Sequence, residues 1–479
     1  MNRSIVRFLI AKLLLIEAAL LVVPLIVALI YQEEAKVFAS ILGTTGILLF
    51  LGVLGTLFKP KNYHIYTKEG MLIVALCWVL WSFFGGLPFV FTGQIPSIID
   101  AFFEMSSGFT TTGATILTDT GVLTHSLLFW RSFAHLIGGM GVLVFALAIM
   151  NNSKNGHHEV MRAEVPGPVF GKVVAKLKNT AQILYIIYLG MFVIFAMILW
   201  ICGMPLFDSI VIAMGGAGTG GFAVYNDSIA HYNSDLITYV VTVGTLLFGV
   251  NFNLYFYILL RKIRFFFQDE ELRTYLTIIA VSTSLIILNI FGIYHSLANS
   301  FKYSFFEVST IITTTGFGLT DITKWPLFSQ YILLLLMFIG GSAGSTAGGF
   351  KVIRAMIIAK IARNQTLASL YPNRILSLHI NGSVLDKETQ NSVLKYLAVY
   401  VLIMLSLVTV LSLDNQDLLI VTSAAASTFN NIGPLLGTTD SFAIFSPLSK
   451  LIMGFAMIAG RLEIYPLLLL FLPKTWSKI

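Results

Sequence analysis

The sequence predicts an all-α integral membrane protein: four tandem helix, re-entrant pore loop, helix repeats around one pore, preceded by two extra transmembrane helices. Three observations carry this. Of 479 residues, 57% are hydrophobic and 11% charged, far from the balance of a soluble domain. Apolar segments of about 20 residues, enough to cross a bilayer as helix, recur along the whole chain. Four shorter, less apolar segments between them resemble one another.

Taken in order, the spans fall near 8–30, 37–58, 70–92, 124–150, 180–203, 236–260, 274–296, 328–360, 393–413 and 447–472. The first, "FLIAKLLLIEAALLVVPLIVALIY", is too long for a signal-peptide core and lacks a small-residue cleavage site, so it reads as a retained span. Ten crossings put both termini on one side, and 24 of the 30 Lys and Arg lie there. By the positive-inside rule that side is cytoplasmic. Of the 23 acids, 13 fall on the opposite side, where they concentrate cations. The net charge of +7 therefore reflects membrane sidedness and does not point to nucleic acid.

The units are two N-terminal helices (1–65), a first repeat with a cytoplasmic linker (66–178), a second (179–270), a third with an intramembrane loop and a linker (271–390), and a fourth (391–479). Cys77 and Cys202 sit in apolar runs without metal or disulfide spacing and read as packing residues. The eight histidines, including His157 and His158, show no zinc spacing. No nucleophile and base come together within the spans, so the chain is not expected to be an enzyme or to bind a cofactor.

The repeated segments read "DAFFEMSSGFTTTGAT" (100–115), "DSIVIAMGGAGTGGFAV" (208–224), "SFFEVSTIITTTGFGLTD" (304–321) and "DLLIVTSAAASTFNNIGPLLGTTD" (417–440). The first and third align without a gap, with FFE at 102–104 above 305–307 and TTTG at 110–113 above 313–316. Each predicts a short helix followed by a turn ending at Gly113, Gly220, Gly316 or Gly433; Gly220 is preferred to Gly221 by register with TTG. Non-helical backbone at membrane depth is tolerated only inside protein or beside water, so the four turns are expected to meet around one axis. Glycine lets neighbouring carbonyls face that axis, carbonyl rings replace the hydration shell of a hard monovalent cation, and each short helix aims its negative C-terminal end at the same place. The candidate filter is Thr111, Thr112, Gly113, Thr219, Gly220, Thr314, Thr315, Gly316, Asn431, Ile432 and Gly433.

Together with "GGSAGSTAGGFKVIR" (340–354) and "AGRLEIYP" (459–466), these motifs resemble the membrane subunit of the Trk/Ktr superfamily of potassium-uptake systems over nearly the whole chain. The two extra N-terminal spans make it more similar to the TrkH branch than to KtrB. The resemblance implies potassium uptake across the bacterial inner membrane, potassium at the filter as the only metal, a homodimer with one pore per subunit, and a cytoplasmic RCK-type nucleotide-binding regulatory subunit, TrkA-like. A KtrB-like sodium-dependent transporter is the alternative, and a cation-coupled solute symporter a more distant one. None of the segments carries the TVGYG run of tetrameric potassium channels, so one strong site is expected.

Residues Gly340, Gly341, Ser342, Ala343, Gly344, Ser345, Thr346, Ala347, Gly348 and Gly349 are too rich in Gly and Ser to hold a helix. They do not match GxxxxGK[ST]. The segment reads either as a small-residue packing surface or, as the resemblance implies, as a gating loop beneath the filter. Arg461 lies mid-span, where a charge faces a cavity or a partner; it is expected to be a pore-facing charge below the glycines, with pairing to helix-end carbonyls as the other reading. Glu17, one turn beyond Lys12, reads as half of a structural salt bridge.

Overall fold

Residues 2–139, 141, 177–371 and 376–476 are described by the structure, a computed structural model. The first apolar run folds as α1 (Arg3–Leu20) and α2 (Val22–Ile30). They break at Leu21 because Pro24 has no N–H to offer the carbonyl one turn back. α3 (Ala35–Leu57) and α4 (Thr67–Thr92) follow. The first repeat continues with α5 (Ile98–Phe109) and α6 (His125–Gly139). The second holds α7 (Leu177–Ile201), α8 (Leu206–Gly218), α9 (Asp235–Phe248) and α10 (Phe252–Leu259). After α11 (Ile263–Gln268), the third holds α12 (Glu270–Tyr294), α13 (Leu297–Ile312), α14 (Leu327–Ile339) and α15 (Val352–Leu370). A hairpin of β1 (His379–Ile380) and β2 (Ser383–Val384) precedes the fourth: α16 (Lys387–Leu411), α17 (Leu418–Asn430), α18 (Pro447–Arg461) and α19 (Tyr465–Phe471), with α20 (Pro473–Trp476) at the end.

Among the described residues, six stretches are long and apolar enough to cross a membrane: Arg3–Ile30, α3, α4, Gln182–Ile201, α12 and Lys387–Asp414. The chain is a multi-pass membrane protein. The stretches read as single spans at 236–260, 328–360 and 447–472 are each interrupted. α9 and α10 meet at 90°, α14 and α15 are separated by a loop, and α18 is followed by a break at Glu463 and Ile464, both with positive φ (54° and 72°). Of the span at 124–150, α6 is described to Gly139; His157, His158 and the basic linker up to residue 176 lie outside the described residues.

The helices sort by burial. In α5 every residue from Ala101 to Phe109 is buried, as are 211–218 of α8 and 423–430 of α17. α3, α7, α12 and α16 instead turn large apolar side chains outward, with Leu288 77% and Ile201 74% exposed, as lipid-facing helices do. The short helices are therefore central.

Two local expectations change. Glu17 is fully buried and accepts no hydrogen bond, while Lys12 Nζ lies 4.8 Å above the Phe8 ring. Five residues apart, the two are turned about 140° from each other around the helix, so no bridge forms. The hairpin was not anticipated, although Asn381-Gly382, with φ of 48° and 77°, is a two-residue turn of the type glycine and asparagine favour. Asn381 donates from its backbone to Glu270 Oε1 at 2.9 Å and from Nδ2 to Asp269 Oδ2 at 2.8 Å. These bonds pin the linker to the start of α12.

Candidate functional site

α5, α8, α13 and α17 end alike. At each C-terminus one residue enters the left-handed region: Thr111, Thr219, Thr314 and Asn431, with φ of 57°, 57°, 55° and 58°. The next residue donates its N–H five positions back: Thr112 to Ser107, Gly220 to Gly215 and Thr315 to Thr310 at 2.8 Å, and Ile432 to Ser427 at 2.9 Å. This is the long bond of a Schellman cap. Threonine in that region costs about 1–3 kcal/mol each and persists only where surroundings enforce it. Such strain, repeated at equivalent places, marks a site.

The residue after the bond donor also has positive φ: Gly113 (79°), Gly221 (72°), Gly316 (78°) and Gly433 (108°). The second glycine is thus Gly221, which corrects the sequence register. Gly220 occupies the position of Thr112, Thr315 and Ile432. "GTGGF" offers two adjacent glycines, and only the cap geometry distinguishes them.

The four segments close on one another. A Cβ on Gly113 would lie 1.8 Å from the Gly220 carbonyl oxygen, one on Gly221 1.9 Å from that of Thr315, one on Gly316 2.1 Å from that of Ile432, and one on Gly433 2.7 Å from that of Thr112. Each glycine leaves room for the carbonyl of the next segment, and the fourth returns to the first. Asn431 Nδ2 reinforces that last step, donating to Thr112 Oγ1 at 2.9 Å. The arrangement is a ring of backbone oxygens with four helix C-termini behind it, suited to a dehydrated cation.

The outgoing chain is held by the FFE glutamates. Glu104 Oε2 accepts from the Ile116 N–H at 3.0 Å, and Glu307 Oε1 from Leu319 at 3.3 Å, twelve residues on in both cases. Glu104 also pairs with Arg131 at 3.0 Å, both buried. The Arg131 guanidinium lies 4.0 Å from the Phe222 ring centroid, so it spans the first and second segments. Arg131→Gln is expected to lower stability by about 3–5 kcal/mol, because it leaves Glu104 buried without its cation; thermal unfolding in detergent measures this, and Glu104→Gln on top should recover part of the loss.

The Gly-Ser segment lies against this ring at the C-terminal ends of α13 and α17. It leaves α14 at Gly340 and returns where the Lys351 N–H donates to the Ile339 carbonyl at 2.8 Å. The Gly348 N–H donates to Thr314 Oγ1 at 2.6 Å, and a Cβ on Gly348 would lie 2.2 Å from the Asn430 carbonyl oxygen. Ser342 donates to the Gly249 carbonyl at 3.1 Å, Thr346 Oγ1 to Phe248 at 3.2 Å, and the Ala343 N–H to Glu271 Oε1 at 2.7 Å. Contact with three repeats is direct.

Arg461, from the fourth repeat, links the loop to the first. Its Nη1 donates to the Thr346 carbonyl at 2.8 Å and its Nη2 to the Gly138 carbonyl at the end of α6 at 2.7 Å. At 9% exposure the guanidinium is held between loop and helix end. Of the two readings from the sequence, the bonds are those of pairing to carbonyls, one of them at a helix end. Glu463, assigned no role from sequence, pairs with Arg354 at 2.6 Å and joins the break after α18 to the start of α15.

The family model for TrkH, described as a cation transport protein, matches residues 38–478. The chain belongs to the TrkH family. It is 34% identical to the Trk system potassium uptake protein TrkH of Salmonella typhimurium (strain LT2), with 99% of each chain covered. It is 32% identical to the Trk system potassium uptake protein TrkG of Escherichia coli (strain K12), covering 95% of this chain and 94% of TrkG. The fold matches the crystal structure of the potassium transporter TrkH from Vibrio parahaemolyticus with a TM-score of 0.90 at 30% identity, over 100% of both chains. In this TrkH-family chain the four turns singled out from sequence are brought together, and so are the Gly-Ser segment and Arg461. Arg131, Glu104, Glu307 and Glu463 were missed as parts of the site. The twelve-residue spacing from FFE to the chain beyond TTTG was the signal available for the two glutamates of α5 and α13.

Proposed function

We propose that the chain takes potassium up across the bacterial inner membrane through the carbonyl ring of Thr112, Gly220, Thr315 and Ile432. The cyclic close approach of Gly113, Gly221, Gly316 and Gly433 to those carbonyls carries the reading, because it leaves oxygen as the lining and excludes a side chain. Full-length similarity to proteins named for potassium uptake supports the choice of ion. A single short ring, held by strained caps, suits one binding position.

The Gly-Ser segment is the gate in this proposal. Its polar backbone sits below the ring, bonded to elements of the second, third and fourth repeats and tied to the first through Arg461, and a displacement opens the path without altering the filter. Both termini are cytoplasmic, two copies associate with one pore each, and an RCK-type, TrkA-like nucleotide-binding ring acts on the cytoplasmic face to move the gate. The excess of Lys and Arg on that face supports the orientation.

Expression in a bacterium lacking its own potassium uptake should restore growth in low-potassium medium. Failure of a correctly inserted protein to do so, with its regulatory partner co-expressed, overturns the assignment. Potassium flux into proteoliposomes under imposed sodium and proton gradients then separates passive flow from coupled symport.

A further inference from the structure

Away from the filter, α1, α3, α4 and α20 enclose an open groove of about 580 Å³, within the size range of small-ligand sites. Its floor and walls are apolar, with Val6, Ile10, Leu14, Leu51, Leu80 and Phe84 along its length. At one end stand Arg3 and Arg7, both exposed and four residues apart on one face of α1. Ile10 and Leu14 continue the same stripe. The groove therefore runs from a charged mouth into an apolar slot.

The two guanidiniums have donors to spare. Arg3 Nη2 donates to the Trp476 carbonyl at 3.0 Å and Arg7 Nη2 to the Phe58 carbonyl at 3.2 Å. Neither belongs to any ion pair among the described residues. Five N–H groups on each planar guanidinium suit the forked recognition of a phosphate. Lys59, Lys61, Lys68 and Lys474 lie at the same end of the helices, past α3, on the first turn of α4 and in α20, beside one acid, Glu69, which accepts from the Asn2 N–H at 2.9 Å, so the cations there outnumber the acid.

We propose that this groove binds an anionic glycerophospholipid, with its phosphate on Arg3 and Arg7 and an acyl chain along Ile10, Leu14, Leu51 and Phe84. A basic pocket between transmembrane helices at the level of the headgroups is the arrangement that retains such lipids. A second copy fits less well, because a twofold contact centred here sets the arginines of the two subunits toward each other. The lipid ties the N-terminal helix to α3, α4 and the C-terminal α20 at their common end.

Native mass spectrometry of the intact protein, released from detergent with phosphatidylglycerol or phosphatidylcholine at equal concentration, tests this independently of ion flux. The wild type should retain at least fivefold more phosphatidylglycerol. Arg3→Gln/Arg7→Gln should lose that excess, Lys387→Gln/Lys395→Gln, equal in charge change and exposed elsewhere, should keep it, and Ile10→Trp should reduce retention of both lipids by filling the slot. Equal retention of the two lipids by the wild type, or an undiminished excess in the arginine variant, overturns the proposal. So does efficient disulfide crosslinking between copies through Leu51→Cys, which would make the groove a subunit interface.

Discussion

Gly221→Ser is expected to lower the preference for potassium over sodium at least tenfold, equivalent to about 1.4 kcal/mol, while Gly220→Ala acts differently. At position 221 the new Cβ meets the Thr315 carbonyl oxygen at 1.9 Å, and φ is 72°. The ring must open and the backbone must leave its conformation, and no change in a neighbouring side chain relieves either demand. At 220 a Cβ points behind the ring, 2.5 Å from His135 Nδ1, into an imidazole stacked on Phe222 at 4.2 Å. Gly220→Ala should therefore recover much of its selectivity when combined with His135→Ala. Gly221→Ala should not. Reversal potentials under mixed potassium and sodium give the permeability ratio for each variant. Wild-type selectivity in Gly221→Ser, Gly113→Ser, Gly316→Ser and Gly433→Ser alike would remove the filter assignment.

The difference between these two glycines shows how far the sequence could be read. Repeats are visible because four segments must satisfy one geometry: a helix end, a left-handed residue, a 6→1 bond and a glycine with positive φ. Those demands constrain residue type strongly in "TTTG", and weakly where two glycines stand together. The membrane class and the lipid-facing helices followed from apolar length alone. The breaks after α9 and α18 did not, since Gly249–Asn251 and Leu462–Ile464 interrupt runs whose average hydropathy remains high. In these places tertiary hydrogen bonds override the local pattern, as when Ser342 takes the Gly249 carbonyl that a continuing helix would have used. Long-range pairs such as Arg131 with Glu104 and Arg354 with Glu463, separated by 27 and 109 residues, leave no periodic trace.

Arg461 was visible as a costly mid-span charge, but its role depends on what it touches. It has two carbonyl acceptors, one on the Gly-Ser loop and one at the end of α6, and under the proposed gating it acts as a latch between the loop and the first repeat. A hydrogen bond from a charged donor contributes about 1.5–3 kcal/mol, so releasing the Thr346 carbonyl should favour the displaced loop by about 10–100-fold. Arg461→Gln is accordingly expected to raise potassium flux per inserted molecule in liposomes by about tenfold or more, with the potassium to sodium ratio nearly unchanged. Arg461→Lys, able to reach one carbonyl at a time, should fall between. A fixed-charge barrier to the departing ion gives the same direction for Gln but leaves Lys close to wild type. Removing residues 342–348 discriminates further. If Arg461 acts through the loop, its replacement adds little flux once the loop is gone, whereas an independent barrier adds the same factor in both backgrounds. A fall in flux for Arg461→Gln, in protein that is folded and inserted, would show that the arginine supports the open path and would end the latch account.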